Sequence, residues 1–244
     1  MEQNNPNNRR EFVKKAVVVG AFVTLGGIGA VMVPKLKASE IFLRPPGAVD
    51  ENDFMATCIK CGQCVQVCPY HTLSLLDINQ GHLVGTPFVD ARERGCYLCD
   101  LLPCVLACPS GALDHHASEA KDVKMGVAYL KRADTCFAFR GKNVKKEDLA
   151  RILNKSALNE REQKVLDDYA KYEDKPCTIC ADMCPFPEKE NAIIMIQDSN
   201  NRWLPQIKNA CVGCGVCEEL CPSQEASIVV IPRVSYSQFY KGQK

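Results

Sequence analysis

The sequence predicts an α+β chain: two tandem modules of short strands and short helices, an N-terminal signal or anchor helix, and an inserted helical hairpin. Three observations predict it. Sixteen cysteines among 244 residues fall almost entirely into four groups, each closing on Cys-Pro. A short β-like run follows each group. Between Gly141 and Pro176, apolar residues recur at helical rather than strand spacing.

Composition sets outer bounds. The length suits one large domain or two small ones with a real core. A net charge of +1 leaves no electrostatic footprint for nucleic acid. Charged residues at 24% and a single Trp fit a soluble body. In a small secreted chain this cysteine density would suggest a disulfide scaffold. Here the chain is long, so the spacing has to decide.

Cys58, Cys61, Cys64 and Cys68 are separated by two, two and three residues and followed by Pro69. Cys96, Cys99, Cys104 and Cys108 are separated by two, four and three before Pro109. Cys177, Cys180 and Cys184 are separated by two and three before Pro185, and Cys211, Cys214, Cys217 and Cys221 repeat the first pattern before Pro222. Thiolates at this spacing let one tight loop wrap a [4Fe–4S] cubane, and the cysteine before proline ligates the neighbouring cluster in bacterial ferredoxins. Proline there fixes φ and removes a donor at a turn or helix boundary. Gly62, Gly213 and Gly215 let the backbone approach closely. Structural zinc prefers two Cys-x2-Cys halves separated by a longer span, and cysteines two apart make poor disulfides.

The sixteenth cysteine, Cys136, stands alone, forty residues before Cys177. A buried apolar thiol is the ordinary reading of such a residue. The third group lacks one ligand, however, and four cubanes need a full set of sixteen thiolates, so Cys136 is expected to join Cys177, Cys180 and Cys184.

The β-like runs are Thr72–Leu76, Gly111–Leu113, Ala192–Ile196 and Ser227–Ile231. A strand, an Asp198–Asn201 turn and the run Arg202–Ile207 form a hairpin leading into the last cysteine group. Loop, short helix, hairpin and loop again make up the bacterial ferredoxin plan. The expected division is an export or anchor segment over 1–40, a first ferredoxin-type module over 41–125, and a second over 126–244 carrying the insertion at 141–176. Within each module the two groups exchange their last cysteines; the other pairing joins group one with group four and group two with group three. In the insertion, Leu149, Ile152 and Leu153, then Val165, Leu166 and Tyr169, lie on helical faces, and Asn159 with Glu162 reads as a capping box. A solvated charged face is the plain role for this hairpin; partner docking is the other.

Asn8-Arg-Arg-Glu-Phe-Val-Lys14 precedes an apolar, glycine-bearing run from Ala16 to Val33. The pair of arginines, Phe12 and the weakly hydrophobic run read as a twin-arginine signal. That route moves folded proteins, so clusters are built in the reducing cytoplasm before export. A small-x-small cleavage site is poorly formed, because Leu36 stands where a small residue belongs. The segment is therefore also a candidate anchor.

With these motifs, Arg44-Pro-Pro-Gly47, Cys58 to Tyr70, Gly85-Thr-Pro87, Cys104 to Leu113 and Met125-Gly126 together resemble the MauM/NapG family, on its periplasmic nitrate reductase side. The resemblance covers nearly the whole chain. It implies four [4Fe–4S] clusters on the sixteen cysteines, a periplasmic location, delivery by the twin-arginine translocase, and work with a NapH-like membrane quinol dehydrogenase. Electrons would pass from that partner towards a downstream cytochrome or the nitrate reductase. The long gap after Cys136 departs from the family pattern. His71, His82, His115 and His116 are not expected to form a substrate site, so the chain reads as an electron carrier rather than an enzyme. The alternatives are an iron–sulfur subunit of another exported molybdoenzyme or of a methylamine-type dehydrogenase system, and, more remotely, a zinc-binding structural protein.

Overall fold

The computed structural model describes residues 41–241; the export segment expected over 1–40 lies outside them. In the first half, helix α1 (Glu51–Thr57) and helix α2 (Gln63–Gln66) precede strands β1 (Leu73–Leu75) and β2 (Pro87–Val89). The strands pair antiparallel, Leu73 opposite Val89 and Leu75 opposite Pro87. Helix α3 (Pro103–Leu106) follows, with proline at its first position, where the missing N–H costs nothing. The run Gly111–Leu113 is not a strand. Gly111 turns the chain at φ +74°, and Leu113 makes a single bridge to Ala48.

Arg44 locks this half together. It is fully buried, and a buried guanidinium is tolerable only when its donors are met. Nη1 donates to Thr86 Oγ1 and to the Pro87 carbonyl, each at 2.9 Å, and Nη2 donates to Glu51 Oε1 at 2.6 Å. The guanidinium also lies 4.8 Å from the Phe54 ring centroid. One side chain thus ties α1 to the start of β2.

In the second half, strand β3 (Gly126–Leu130) pairs antiparallel with the distant β6 (Ile228–Pro232), Gly126 opposite Pro232 and Leu130 opposite Ile228. Strands β4 (Ile193–Gln197) and β5 (Trp203–Ile207) form the local hairpin. Its turn is pinned by Asp198, whose Oδ1 accepts the N–H groups of Asn200 and Arg202 at 2.9 Å each. Short helices α6 (Ile179–Asp182), α7 (Lys189–Ala192) and α8 (Val216–Glu219) carry or flank the later cysteine groups, and α9 (Tyr236–Lys241) follows β6. Among the described residues no helix is long and apolar enough to cross a membrane.

Helices α4 (Lys146–Leu153) and α5 (Glu160–Ala170) occupy the stretch between Cys136 and Cys177 and pack on each other, burying Leu149, Ile152 and Tyr169. Asn159 caps α5 by accepting from the N–H groups of Arg161 and Glu162, both at 3.0 Å. Glu162 does not complete the capping box on Asn159. Its Oε2 accepts from Leu158 N–H at 2.8 Å instead, while Oε1 meets His71 Nδ1 at 2.8 Å and Arg94 Nη1 at 2.6 Å. The carboxylate is drawn away because two cationic or donor groups of the first half face it. With Asn159 Nδ2 donating to the Pro69 carbonyl at 2.8 Å, the start of α5 is docked on the first Cys-Pro turn.

The halves are joined by polar contacts as well as by a shared core that includes Phe54, Val105, Leu149, Tyr169, Val216 and Leu220. Arg92 donates to four carbonyls of the last group, those of Glu218, Cys221, Ser223 and Gln224, at 2.6–3.0 Å.

Two outcomes follow. Removing the Asn159 cap with Asn159→Ala should cost about 1 kcal/mol in thermal unfolding. Burial raises the Glu51 carboxyl, but Arg44 and Arg233 beside it hold it below its ordinary 4.5. Its contribution is therefore complete above the unfolded value and is lost as pH falls through the lower folded value. Melting curves of the wild type and Glu51→Gln should differ most above the ordinary value of 4.5 and converge as pH falls below it.

Candidate metal centres

The cysteine loops share a backbone feature that composition does not announce. In the first, second and fourth groups, the second residue after the first cysteine has positive φ: Lys60 at 57°, Leu98 at 49° and Gly213 at 69°. Gly62 and Gly215, just after the second cysteine, also lie there, at 73° and 86°. A left-handed residue before and after the middle cysteine curls the loop around a common centre. Only glycine adopts this conformation freely; for Lys60 and Leu98 it costs on the order of 1 kcal/mol or more, which the surroundings must offset. Leu101 and Leu102, at 60° and 40°, extend the same strain through the longer second loop. The third group is built differently, with Cys180 on helix α6 and no positive φ between Cys177 and Cys184.

These loops gather the thiols into sets of four. Cys136, Cys177, Cys180 and Cys221 line one small cavity walled by Leu130 and Ile228. Cys184, Cys211, Cys214 and Cys217 line another, walled by Phe186 and Ile207. In the first half, the thiols that act on Cys64 are those of Cys58, Cys61 and Cys108, and those that act on Cys104 are Cys96, Cys68 and Cys99, followed by Cys64. Each set thus takes its fourth thiol from a different stretch of chain. Cys136, remote in sequence, sits with Cys177 because the α4–α5 segment leaves and returns at the same point, Asn143 bridging to Pro176.

Burial and crowding set the electrostatics of these thiols. Burial, with the nearby Cys58, Cys61 and Cys108 adding to it, pushes Cys64 up to about 11. Burial raises Cys96 and Cys177 to about 12 and Cys99 to about 11, each with neighbouring thiols of its own set contributing. Four thiolates together in a buried site repel one another and lack solvation, so only a cationic centre makes the deprotonated state favourable. Backbone N–H groups point the same way. Thr72 donates to Cys68 Sγ at 3.3 Å, Ser227 to Cys221 Sγ at 3.4 Å and Ala128 to Cys211 Sγ at 3.5 Å. For Cys108 the balance reverses: burial raises it, yet the N–H groups of Leu113, Ser110 and Ala112 and the Ser110 hydroxyl bring it below the ordinary thiol value.

The donor set fits a thiolate-ligated cluster. All sixteen cysteines are free thiols. Among the described residues no group of three or more His, Cys, Asp or Glu is close enough to hold a single metal ion. The histidines stand apart. His71 is taken up by Glu162, His115 Nε2 meets the Cys108 carbonyl at 2.8 Å, and His116 is fully exposed. Three residues escaped sequence reasoning. Glu219, buried beside Cys217 and Cys221, accepts from Gly95 N–H at 2.8 Å and Tyr97 O–H at 3.2 Å. Tyr70 and Tyr97 stack at 4.5 Å in an open cleft of about 1200 Å³ that also exposes Cys99 and Cys184. The only sequence signal for any of them was a position within two residues of a cysteine.

Loops of this geometry, sulfur-directed N–H groups and all-thiol sites define a ferredoxin-type iron–sulfur protein. A family described as 4Fe-4S dicluster domain matches residues 57–112, and one described as 4Fe-4S binding domain matches residues 211–226. The chain is 33% identical over 234 residues to the ferredoxin-type protein NapG of Escherichia coli K12, covering 93% of this chain and 86% of that one. It is 34% identical over 231 residues to the methylamine utilization ferredoxin-type protein MauM of Paracoccus denitrificans, covering 92% and 88%. No solved structure matches. The chain belongs to the MauM/NapG family of ferredoxin-type electron-transfer proteins.

Gly213 combines positive φ with close packing, since a Cβ there would lie 2.2 Å from the Gly126 carbonyl carbon. Gly213→Ala should destabilise the protein by about 2 kcal/mol or more, read as a lower midpoint for thermal loss of the folded signal.

Proposed function

We propose that this protein carries four [4Fe–4S] clusters and relays electrons from a NapH-like membrane quinol-oxidising partner towards periplasmic nitrate reductase. The observation that carries the reading is the sorting of all sixteen cysteines into four sets of four, with no thiol left over. Site one is Cys58, Cys61, Cys64 and Cys108; site two is Cys96, Cys99, Cys104 and Cys68. Site three is Cys136, Cys177, Cys180 and Cys221; site four is Cys211, Cys214, Cys217 and Cys184. When bound, a [4Fe–4S] cluster stores and releases single electrons, and the protein sets its potential through hydrogen bonds to sulfur and burial.

The chain's own residues supply that control. The N–H donors at Cys68, Cys108, Cys211 and Cys221 stabilise negative charge on sulfur. Apolar walls such as Ile207 and Ile228 exclude water. The cysteines of the sites are assigned to holding clusters, and oxidation of quinol is assigned to the partner. The helices between Cys136 and Cys177 serve as an inserted hairpin that leaves the third site's ligands together. The Arg9-Arg10 motif supports export of the folded, loaded protein by the twin-arginine route to the periplasm. A second delivery target, a methylamine-type dehydrogenase system, is favoured by one observation: identity to MauM is as high as identity to NapG.

Iron and acid-labile sulfide, measured on protein purified without oxygen, should reach about sixteen of each per chain. Cys136→Ser should lower both to about twelve; an unchanged count would remove Cys136 from the ligand set, and zinc in place of iron would sink the relay. Anaerobic reoxidation of the reduced protein by periplasmic nitrate reductase, but not by a methylamine dehydrogenase chain, would select between the two targets. Replacing Arg9 and Arg10 with Lys should keep the loaded protein in the cytoplasm.

A further inference from the structure

We infer that the four sites are strung in the spatial order one, two, four, three, with the Gly95–Cys96 and Cys214–Gly215 backbones as the junction between modules. The inference rests on the four-cluster reading above and concerns what the chain's own residues place side by side.

Three contacts carry it. Helices α2 and α3 pack together, bringing Cys64 of site one towards Cys104 of site two. The Cys96 N–H donates to the Cys214 carbonyl at 2.7 Å, so a ligand of site two is hydrogen-bonded directly to a ligand of site four. Helices α6 and α8 pack together, bringing Cys180 of site three towards Cys217 of site four.

The junction is built to be close. A Cβ on Gly95 would lie 2.5 Å from Val216 N, and one on Gly215 would lie 2.7 Å from Ala91 Cβ, so neither position has room for a side chain. Glu219 holds the contact by accepting from Gly95 N–H, and Arg92 clamps the carbonyls beyond it. Sequence order would have placed sites two and three at the middle. The structure instead leaves sites one and three at the two ends, with Cys61 of site one the exposed thiol.

The test reads magnetic coupling rather than activity. Four variants each remove one site: Cys61→Ala for site one, Cys99→Ala for site two, Cys180→Ala for site three and Cys217→Ala for site four. Each should retain about twelve irons. After complete reduction, low-temperature EPR should show an unbroadened signal from one magnetically isolated cluster when site two or site four is removed. Removing site one or site three should leave only mutually broadened signals. The reverse pattern, isolation on losing site one or three, would overturn the order. Where a variant fails to accumulate folded protein, the same site is removed through its ligand from the other motif, Cys108→Ala, Cys68→Ala, Cys221→Ala or Cys184→Ala respectively. Wild-type protein without interacting clusters would instead refute the four-cluster reading on which the order rests.

Discussion

Everything else in this structure depends on closing each four-thiol set with a cysteine taken from elsewhere in the chain. Cys108 completes the set begun at Cys58, and Cys68 the set begun at Cys96; Cys221 and Cys184 trade in the same way. A loop of three cysteines fixes only itself. The exchanged fourth residue forces two loops and the short helices behind them into one arrangement, which is why helices of four residues persist at all. Isolated helices of that length are not stable in water.

The sites are costly until filled. Crowded, buried thiols resist ionisation, and non-glycine residues such as Lys60 and Leu98 are held at positive φ. The first is a cost only once the thiols must be ionised as ligands, and the second favours opening the loops in the absence of a cationic centre. Ligation removes the first and outweighs the second, so binding free energy becomes folding free energy. The surrounding scaffold, above all the buried Arg44 network and the Arg92 clamp, keeps the loops registered by means independent of the thiols.

Much of this was legible in the residues. Spacing marked the four loops, a short apolar run and the Asp198–Asn201 turn marked the β4–β5 hairpin, and Asn159 marked the start of α5. What stayed hidden has a common cause: contact between segments far apart in sequence. The pairing of β3 with β6 carries no local signal. Glu162 looks like half of a capping box until His71 and Arg94 arrive from the first half. The strain at Leu98, Leu101 and Leu102 is invisible because leucine does not advertise a left-handed backbone. The run Gly111–Leu113 was misread as a strand because three apolar or small residues cannot tell an extended bridge from a ladder.

The position of each borrowed cysteine also sets a timetable for synthesis. Sites one and two need nothing beyond Cys108, so their ligands have all been synthesised before half of the chain is made. Site three draws on Cys136, Cys177 and Cys221, and site four on Cys184 through Cys217. The second half therefore holds unpaired ligands, including Cys136, for most of its elongation and gains its last thiol only near the C-terminus. The order of synthesis is thus written into the chain: the early half carries Gly95 and Cys96, the edge against which Cys214 and Val216 of the late half pack.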